Sequence, residues 1–211
     1  MPELPEVETI RCQLAPHLEG RTILDVEILD PRWTRPIAPE EVADQLRGAR
    51  IEDVGRSGKY LVWTLSDDRY LLLHLRMTGA LLFDPAVEPL HTRVRFEFDD
   101  DHRLVYVDPR RFGTANLVFG GPALDAYLGA RLGIEPFTSE FTAEHLRRLA
   151  RGRTVPIKTF LLDQKRIAGV GNIYADEALF RARIHPLRPA GRLTRSEWER
   201  LRDAIEDALA A

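Results

Sequence analysis

The hydrophobic pattern of this chain changes period once along its length, and that change limits the folds open to it. In the first half apolar residues recur at every second position: Leu24, Val26 and Ile28, then Leu61, Trp63 and Leu65, then Val94, Phe96 and Phe98. Alternation of this kind builds strands with one buried face. The clusters Ser66-Asp67-Asp68 and Asp99-Asp100-Asp101 separate such runs, so the first half reads as antiparallel strands closing a sandwich or barrel-like core. Two helices accompany them. Val7, Ile10, Leu14 and Leu18 have helical spacing with Gly20 as a stop, and a short helix is expected around Pro39 to Arg47.

From about residue 123 the spacing is helical. Leu146 and Leu149, Phe160 to Leu162, and Ala178 to Phe180 mark short helices. Thr194-Arg195-Ser196-Glu197 has the form of a capping box, ahead of the apolar stripe Trp198, Leu201, Ile205 and Leu209. The expected class is α+β, with a β-rich unit over 1–130 and a helical unit over 131–211.

Composition narrows the function. No apolar run approaches the roughly 18 residues that span a bilayer. The N-terminus is acidic and lacks a positively charged leader, so a cytoplasmic protein with no membrane association is expected. The net charge of −3 conceals an asymmetry: residues 1–130 carry 15 basic and 22 acidic side chains, net −7, whereas 131–211 carry 15 and 11, net +4. The helical half is the better surface for a polyanion. Cys12 is the only cysteine, which excludes an internal disulfide, and no Cys or His cluster has metal-ligand spacing. Cys12 is expected as a small core residue of the first helix.

Four stretches carry chemistry. In MPELPEVETI, removal of Met1 makes Pro2 a secondary amine beside the Glu3 carboxylate. In Ala168-Gly169-Val170-Gly171-Asn172-Ile173-Tyr174, Tyr174 stands where a dinucleotide fingerprint needs its third glycine. Either a tight helix-helix turn or a phosphate-binding helix N-terminus assisted by Asn172 remains. Asp108-Pro109-Arg110-Arg111-Phe112-Gly113 is a hairpin corner or a tip that enters an opened base stack. His74-Leu75-Arg76-Met77-Thr78-Gly79 is a second tip, in which Met77 alone reads as core. Lys59, at the start of a strand, reads alone as a solvent-facing lysine.

In order along the chain, MPELPEVETI, GRSGKYLVW, HLRMTG, VDPRRFG and IKTFLLDQKRIAGVGNIYADEALF resemble the formamidopyrimidine-DNA glycosylase family, bacterial base-excision enzymes that remove oxidised purines such as 8-oxoguanine. The resemblance implies an N-terminal antiparallel β-sandwich flanked by helices, then an all-α helix-two-turn-helix domain. It also implies a partner, double-stranded DNA containing an oxidised base or an abasic site, bound by a monomer.

By the same resemblance Pro2 is the nucleophile of a glycosylase with lyase activity, Glu3 the general acid and Lys59 a proton donor, with Glu6 a supporting carboxylate. A base must leave the duplex to be reached. Met77, Arg110 and Phe112 match the family's void-filling residues, while His74, His91, Arg153, Lys158, Asn172 and Tyr174 match its backbone contacts. Family members continue into a four-cysteine zinc finger. This chain stops at Ala211, so zinc is expected only in members with the finger and no cofactor is expected here. Two alternatives stand beside this expectation: a non-catalytic module that binds damaged or abasic DNA, and a pyrimidine-directed, endonuclease VIII-like glycosylase. Leu4 and the trio Met77, Arg110 and Phe112 resemble the purine-directed branch.

Overall fold

The computed structural model describes residues 1–210. They divide into two compact units, Met1–Pro2 with Glu6–Ala126, and Glu3–Pro5 with Tyr127 onward.

The first unit contains two four-stranded antiparallel sheets. One has the order β1 (Ile23–Ile28), β6 (Thr92–Phe98), β7 (Arg103–Val107), β5 (Ala80–Phe83); the other runs β2 (Ile51–Ser57), β3 (Tyr60–Leu65), β4 (Arg69–His74), β8 (Thr114–Phe119). Their inner faces share a single apolar core. Leu61, Trp63 and Leu65 of one sheet meet Val94, Phe96 and Phe98 of the other, with the Trp63 and Phe96 ring centroids 5.3 Å apart. Helices α1 (Leu4–Leu18) and α2 (Pro39–Leu46) add Leu14, Leu18, Val42 and Leu46 to that core. The fold is thus α+β, as the change of period requires.

Two expectations fail here for geometric reasons. Leu24 is 57% exposed although it alternates with Val26 and Ile28, and Ile23 is buried instead. The ladder between β1 and β6 shifts register between Ile23 and Asp25, a bulge that turns Leu24 to the outer face. Cys12 is exposed rather than buried. It follows the buried Val7 by five positions, about 140° around a helix of 3.6 residues per turn, and its Sγ lies beside the Glu8 carboxylate.

In the second unit, α4 (Ala143–Ala150), α5 (Ile157–Leu162), α6 (Asn172–Ala182) and α7 (Arg195–Leu209) follow α3 (Gly121–Gly129). Leu146, Phe160, Leu161, Trp198, Leu201 and Ile205 form its core, which Leu4 also joins. The capping box at α7 is complete: the Glu197 N–H donates to Thr194 Oγ1, and the Thr194 N–H donates to Glu197 Oε2 at 2.7 Å. Trp63 is fully buried at the centre of the first unit. Trp63→Ala should therefore lower the unfolding free energy by about 3–5 kcal/mol, read by chemical denaturation.

Candidate active site

The glycines of AGVGNIY serve a carboxylate of the same chain. Glu3 is 2% exposed. Its Oε2 accepts the N–H of Gly171 at 2.7 Å and of Tyr174 at 3.4 Å, and its Oε1 accepts the N–H of Ile173 at 3.0 Å. These are donors that a helix start leaves without intrahelical partners, and a negative group there also complements the helix dipole. A Cβ on Gly171 would overlap the Glu3 carboxyl, and a Cβ on Gly169, at φ +90°, would overlap Leu4. The Leu4 N–H donates to the Gly169 carbonyl at 3.0 Å. Gln164 braces the turn, donating to the Val170 carbonyl and accepting the Gly169 N–H. The sequence left a phosphate site or a tight helix-helix turn open; the glycines lie in the link between α5 and α6, and the α6 N-terminus receives Glu3.

Other proposed DNA contacts lie in the same unit. Asn172 is exposed as the first residue of α6, and Tyr174, its third residue, is half-buried. Lys158 of α5 pairs with Asp176 of α6 at 2.8 Å. Arg153 is exposed in the α4–α5 connection, where its carbonyl accepts the Gly191 N–H.

In the first unit, Lys59 is only 4% exposed, not solvent-facing. Gly58 and Lys59 form the two-residue link between Ser57 of β2 and Tyr60 of β3, and Gly58 supplies the positive φ of +56° that such a link needs. Arg56 fixes the link from α1: its Nη1 donates to the Gly58 carbonyl at 2.9 Å and its Nε to Glu8 at 2.9 Å. The guanidinium of Arg11, then that of Arg56, outweigh burial and hold the Glu8 carboxyl down at about 2. Glu6 is half-buried on the first turn of α1.

His74 ends β4, buried, with its ring edge-on to Tyr60. Its Nδ1 accepts the Arg76 N–H at 3.1 Å, which leaves Nε2–H as the outward donor. Burial, and then the nearby charges of Arg76 and Lys59, push its pKa from 6.5 to about 3, so the ring is neutral at physiological pH and offers a hydrogen bond rather than a charge.

The two loop tips converge on one carboxylate. Asp108 is 1% exposed. Its Oδ1 accepts the Thr78 hydroxyl at 2.5 Å and the Arg110 N–H at 3.2 Å; its Oδ2 accepts the N–H groups of Phe112 at 2.9 Å and Gly113 at 2.8 Å, and the Tyr106 hydroxyl at 3.2 Å. Burial opposes ionisation, yet the Thr78 hydroxyl and these donors hold the Asp108 carboxyl below the usual carboxylate range. Met77 and Phe112 are exposed, at 44% and 55%, so Met77 is not core. Arg110 is exposed, and so is His91, whose carbonyl accepts the Asp108 N–H. Arg111 points elsewhere: it forms a two-pronged pair with the buried Asp30, Nε to Oδ2 at 2.6 Å and Nη2 to Oδ1 at 2.9 Å. Sequence reasoning passed over Asp30, Thr78, Tyr106 and the role of Asp108. An Asp opening a loop that closes on Gly is a recognisable local acceptor, but Asp30 and Thr78 carry no such signal.

Among the described residues no group of three His, Cys, Asp or Glu side chains surrounds a metal position, and a lone Cys12 cannot supply a four-cysteine zinc site. Among the described residues no helix is long and apolar enough to cross a membrane.

A buried carboxylate near the N-terminus braced on a helix start, together with two exposed loop tips, fits a DNA-processing enzyme. Residues 1–115 match the family model of the formamidopyrimidine-DNA glycosylase N-terminal domain, and residues 132–211 match that of its H2TH domain. The formamidopyrimidine-DNA glycosylase of Methylococcus capsulatus is 45% identical over 100% of this chain and 78% of its own length. Two solved structures of the Lactococcus lactis enzyme are each 37% identical with a TM-score of 0.91. One, in complex with DNA containing an abasic site, is matched over 99% of this chain and 77% of its own; the other, with DNA containing Fapy-dG, over 99% and 78%. The chain therefore belongs to the formamidopyrimidine-DNA glycosylase family, enzymes of base-excision DNA repair.

The depressed His74 pKa gives stability that is fully present above 6.5 and lost as the pH falls through about 3. Nitrogen NMR should show a neutral Nε2–H imidazole from about pH 8 down to about pH 5. A titration midpoint near the unperturbed value would contradict the buried, neutral assignment.

Proposed function

We propose that this protein excises oxidised purines from duplex DNA and cleaves the resulting abasic site through the nitrogen of Pro2. The observation that carries the reading is the Glu3 carboxylate, buried and held by three N–H groups at the start of α6, directly beside Pro2 in the chain.

Removal of Met1 frees a secondary amine. With an α-amino pKa near 7.7–8.0, roughly a fifth to a third of it is neutral near pH 7.4, against about 0.1% of an ordinary lysine. The nitrogen attacks the sugar C1′; the C–N bond forms as the bond to the base breaks, and the base departs with the electron pair and takes a proton from solvent. Glu3, held as an acceptor by its three donors, takes up the proton released from the Pro2 nitrogen and delivers it to the ring oxygen as the sugar opens. The resulting iminium is an electron sink. Loss of a C2′ proton then expels the 3′ phosphate, with Lys59 serving as proton donor and Glu6 supporting the site. None of these steps calls for a cofactor.

In the same reading residues 1–130 form the catalytic domain and 131–211 the helix-two-turn-helix DNA-binding domain. Met77, Arg110 and Phe112 fill the gap left by the extruded base, with Arg110 hydrogen-bonding the orphaned partner. The neutral His74 donates from Nε2 to a phosphate, and His91, Arg153, Lys158, Asn172 and Tyr174 contact the backbone around it. The enzyme works in the cytoplasm, where bacterial DNA lies.

Borohydride trapping on abasic-site DNA tests the proposal. Protein whose N-terminus is Pro2 should form a covalent adduct, and protein carrying a short extension ahead of Pro2 should bind the same DNA but form none. Equal trapping by the two forms, or no adduct from the processed form, would refute a Pro2 nucleophile.

A further inference from the structure

We propose that the Asp108 carboxylate is a positioning residue, locking the Met77 tip and the Arg110–Phe112 tip together through the Thr78 hydroxyl so that they enter the duplex as one wedge. This inference rests on the function proposed above.

Topology already sets the two tips side by side. The loop after β4 leaves one sheet at His74 and reaches β5 of the other at Ala80; the loop after β7 makes the reverse crossing from Val107 to Thr114. His74 is the ladder partner of Thr114, and Ala80 of Val107. Both loops therefore bridge the sheets at one end of the sandwich, starting and finishing in register.

Two loops of five or six residues with exposed apolar tips would not hold a common shape without a shared anchor, and Asp108 provides one. Its Oδ1 joins Thr78 of the first loop to the Arg110 N–H of the second. Its Oδ2 gathers the N–H groups flanking the second tip and the Tyr106 hydroxyl. That hydroxyl occupies the room left by two glycines: a Cβ on Gly79 or on Gly113 would overlap it. A buried carboxylate with this many donors is costly to disturb, because each released N–H loses its acceptor away from water.

Asp30 completes the device. It holds the Arg111 side chain at a residue whose φ is +59°, so one arginine of the Arg110-Arg111 pair is anchored and its neighbour stays exposed. The exposed set is then Met77, Arg110 and Phe112, whose relative placement depends on a hydroxyl–carboxylate contact made by none of the three.

Thr78→Val keeps the shape of the side chain and removes the linking hydroxyl, while Thr78→Ser keeps the hydroxyl. For Thr78→Val, single-turnover excision of 8-oxoguanine from duplex DNA should fall by about 100-fold, the scale of a misplaced contact remote from the chemistry. Cleavage of a single-stranded abasic oligonucleotide, which has no stacked base to replace, should stay near the wild-type rate, and Thr78→Ser should restore duplex excision. At saturating protein, 2-aminopurine placed beside an abasic analogue in a duplex should brighten with wild type and with Thr78→Ser, and much less with Thr78→Val. Wild-type excision and brightening by Thr78→Val would overturn the proposal. So would equal loss on single- and double-stranded substrates, which marks a general loss of structure. If wild type itself neither excises nor traps, the proposed function fails, and the fluorescence comparison still decides whether Thr78 sets the tips.

Discussion

A carboxylate at the start of a helix is the interaction on which the proposed chemistry at the N-terminus depends. Helix α6 begins with N–H groups that need acceptors, and Glu3 supplies one that is negatively charged and buried. The ends of a chain are ordinarily its least ordered part. Here the third residue is tied to residues 171–174, Leu4 enters the apolar core of the same unit, and α1 starts at once. The Pro2 nitrogen, the proposed nucleophile, is thereby attached to a fixed point, and a nucleophile gains most from being held in place.

The same device recurs in the first unit. Glu3, Asp30 and Asp108 are all buried acids, and each is satisfied either by backbone N–H groups or by an arginine fork. Glu3 stands next to Pro2, Asp108 holds the backbone N–H groups of Arg110 and Phe112, and Asp30 holds the side chain of Arg111 between those two. Buried carboxylates without such partners would be strongly destabilising, so their satisfaction and their positioning role are two consequences of one arrangement. Lys59 extends the pattern with a basic group: it is buried on a link that α1 holds through Glu8 and Arg56, and it helps keep the neighbouring imidazole of His74 neutral.

Much of the fold was legible because burial imposes a period. Leu61, Trp63 and Leu65, Val94, Phe96 and Phe98, and the Thr194 capping box stand where their spacing puts them. The failures at Leu24 and Cys12 have local causes, a bulge and an angular position on a helix, that a count of apolar residues does not register. The motifs marked out Pro2, Glu3, Lys59 and the two loop tips, but not the contacts that organise them. Gly169 and Gly171 left their purpose open because their partners are Leu4 and Glu3, the latter 168 positions from Gly171. Thr78 and Asp108 are 30 apart and Asp30 and Arg111 are 81 apart. Only the pairing of the sheets shows that those distances close.

The proposed chemistry belongs to the nitrogen of residue 2 rather than to a lysine. It is tested most directly by locating the reduced adduct. After borohydride reduction of the processed protein on abasic-site DNA and digestion, peptide mass spectrometry should find the sugar remnant on the N-terminal peptide, on Pro2 itself. A remnant on Lys59, or on any other lysine, with Pro2 unmodified, would contradict the account.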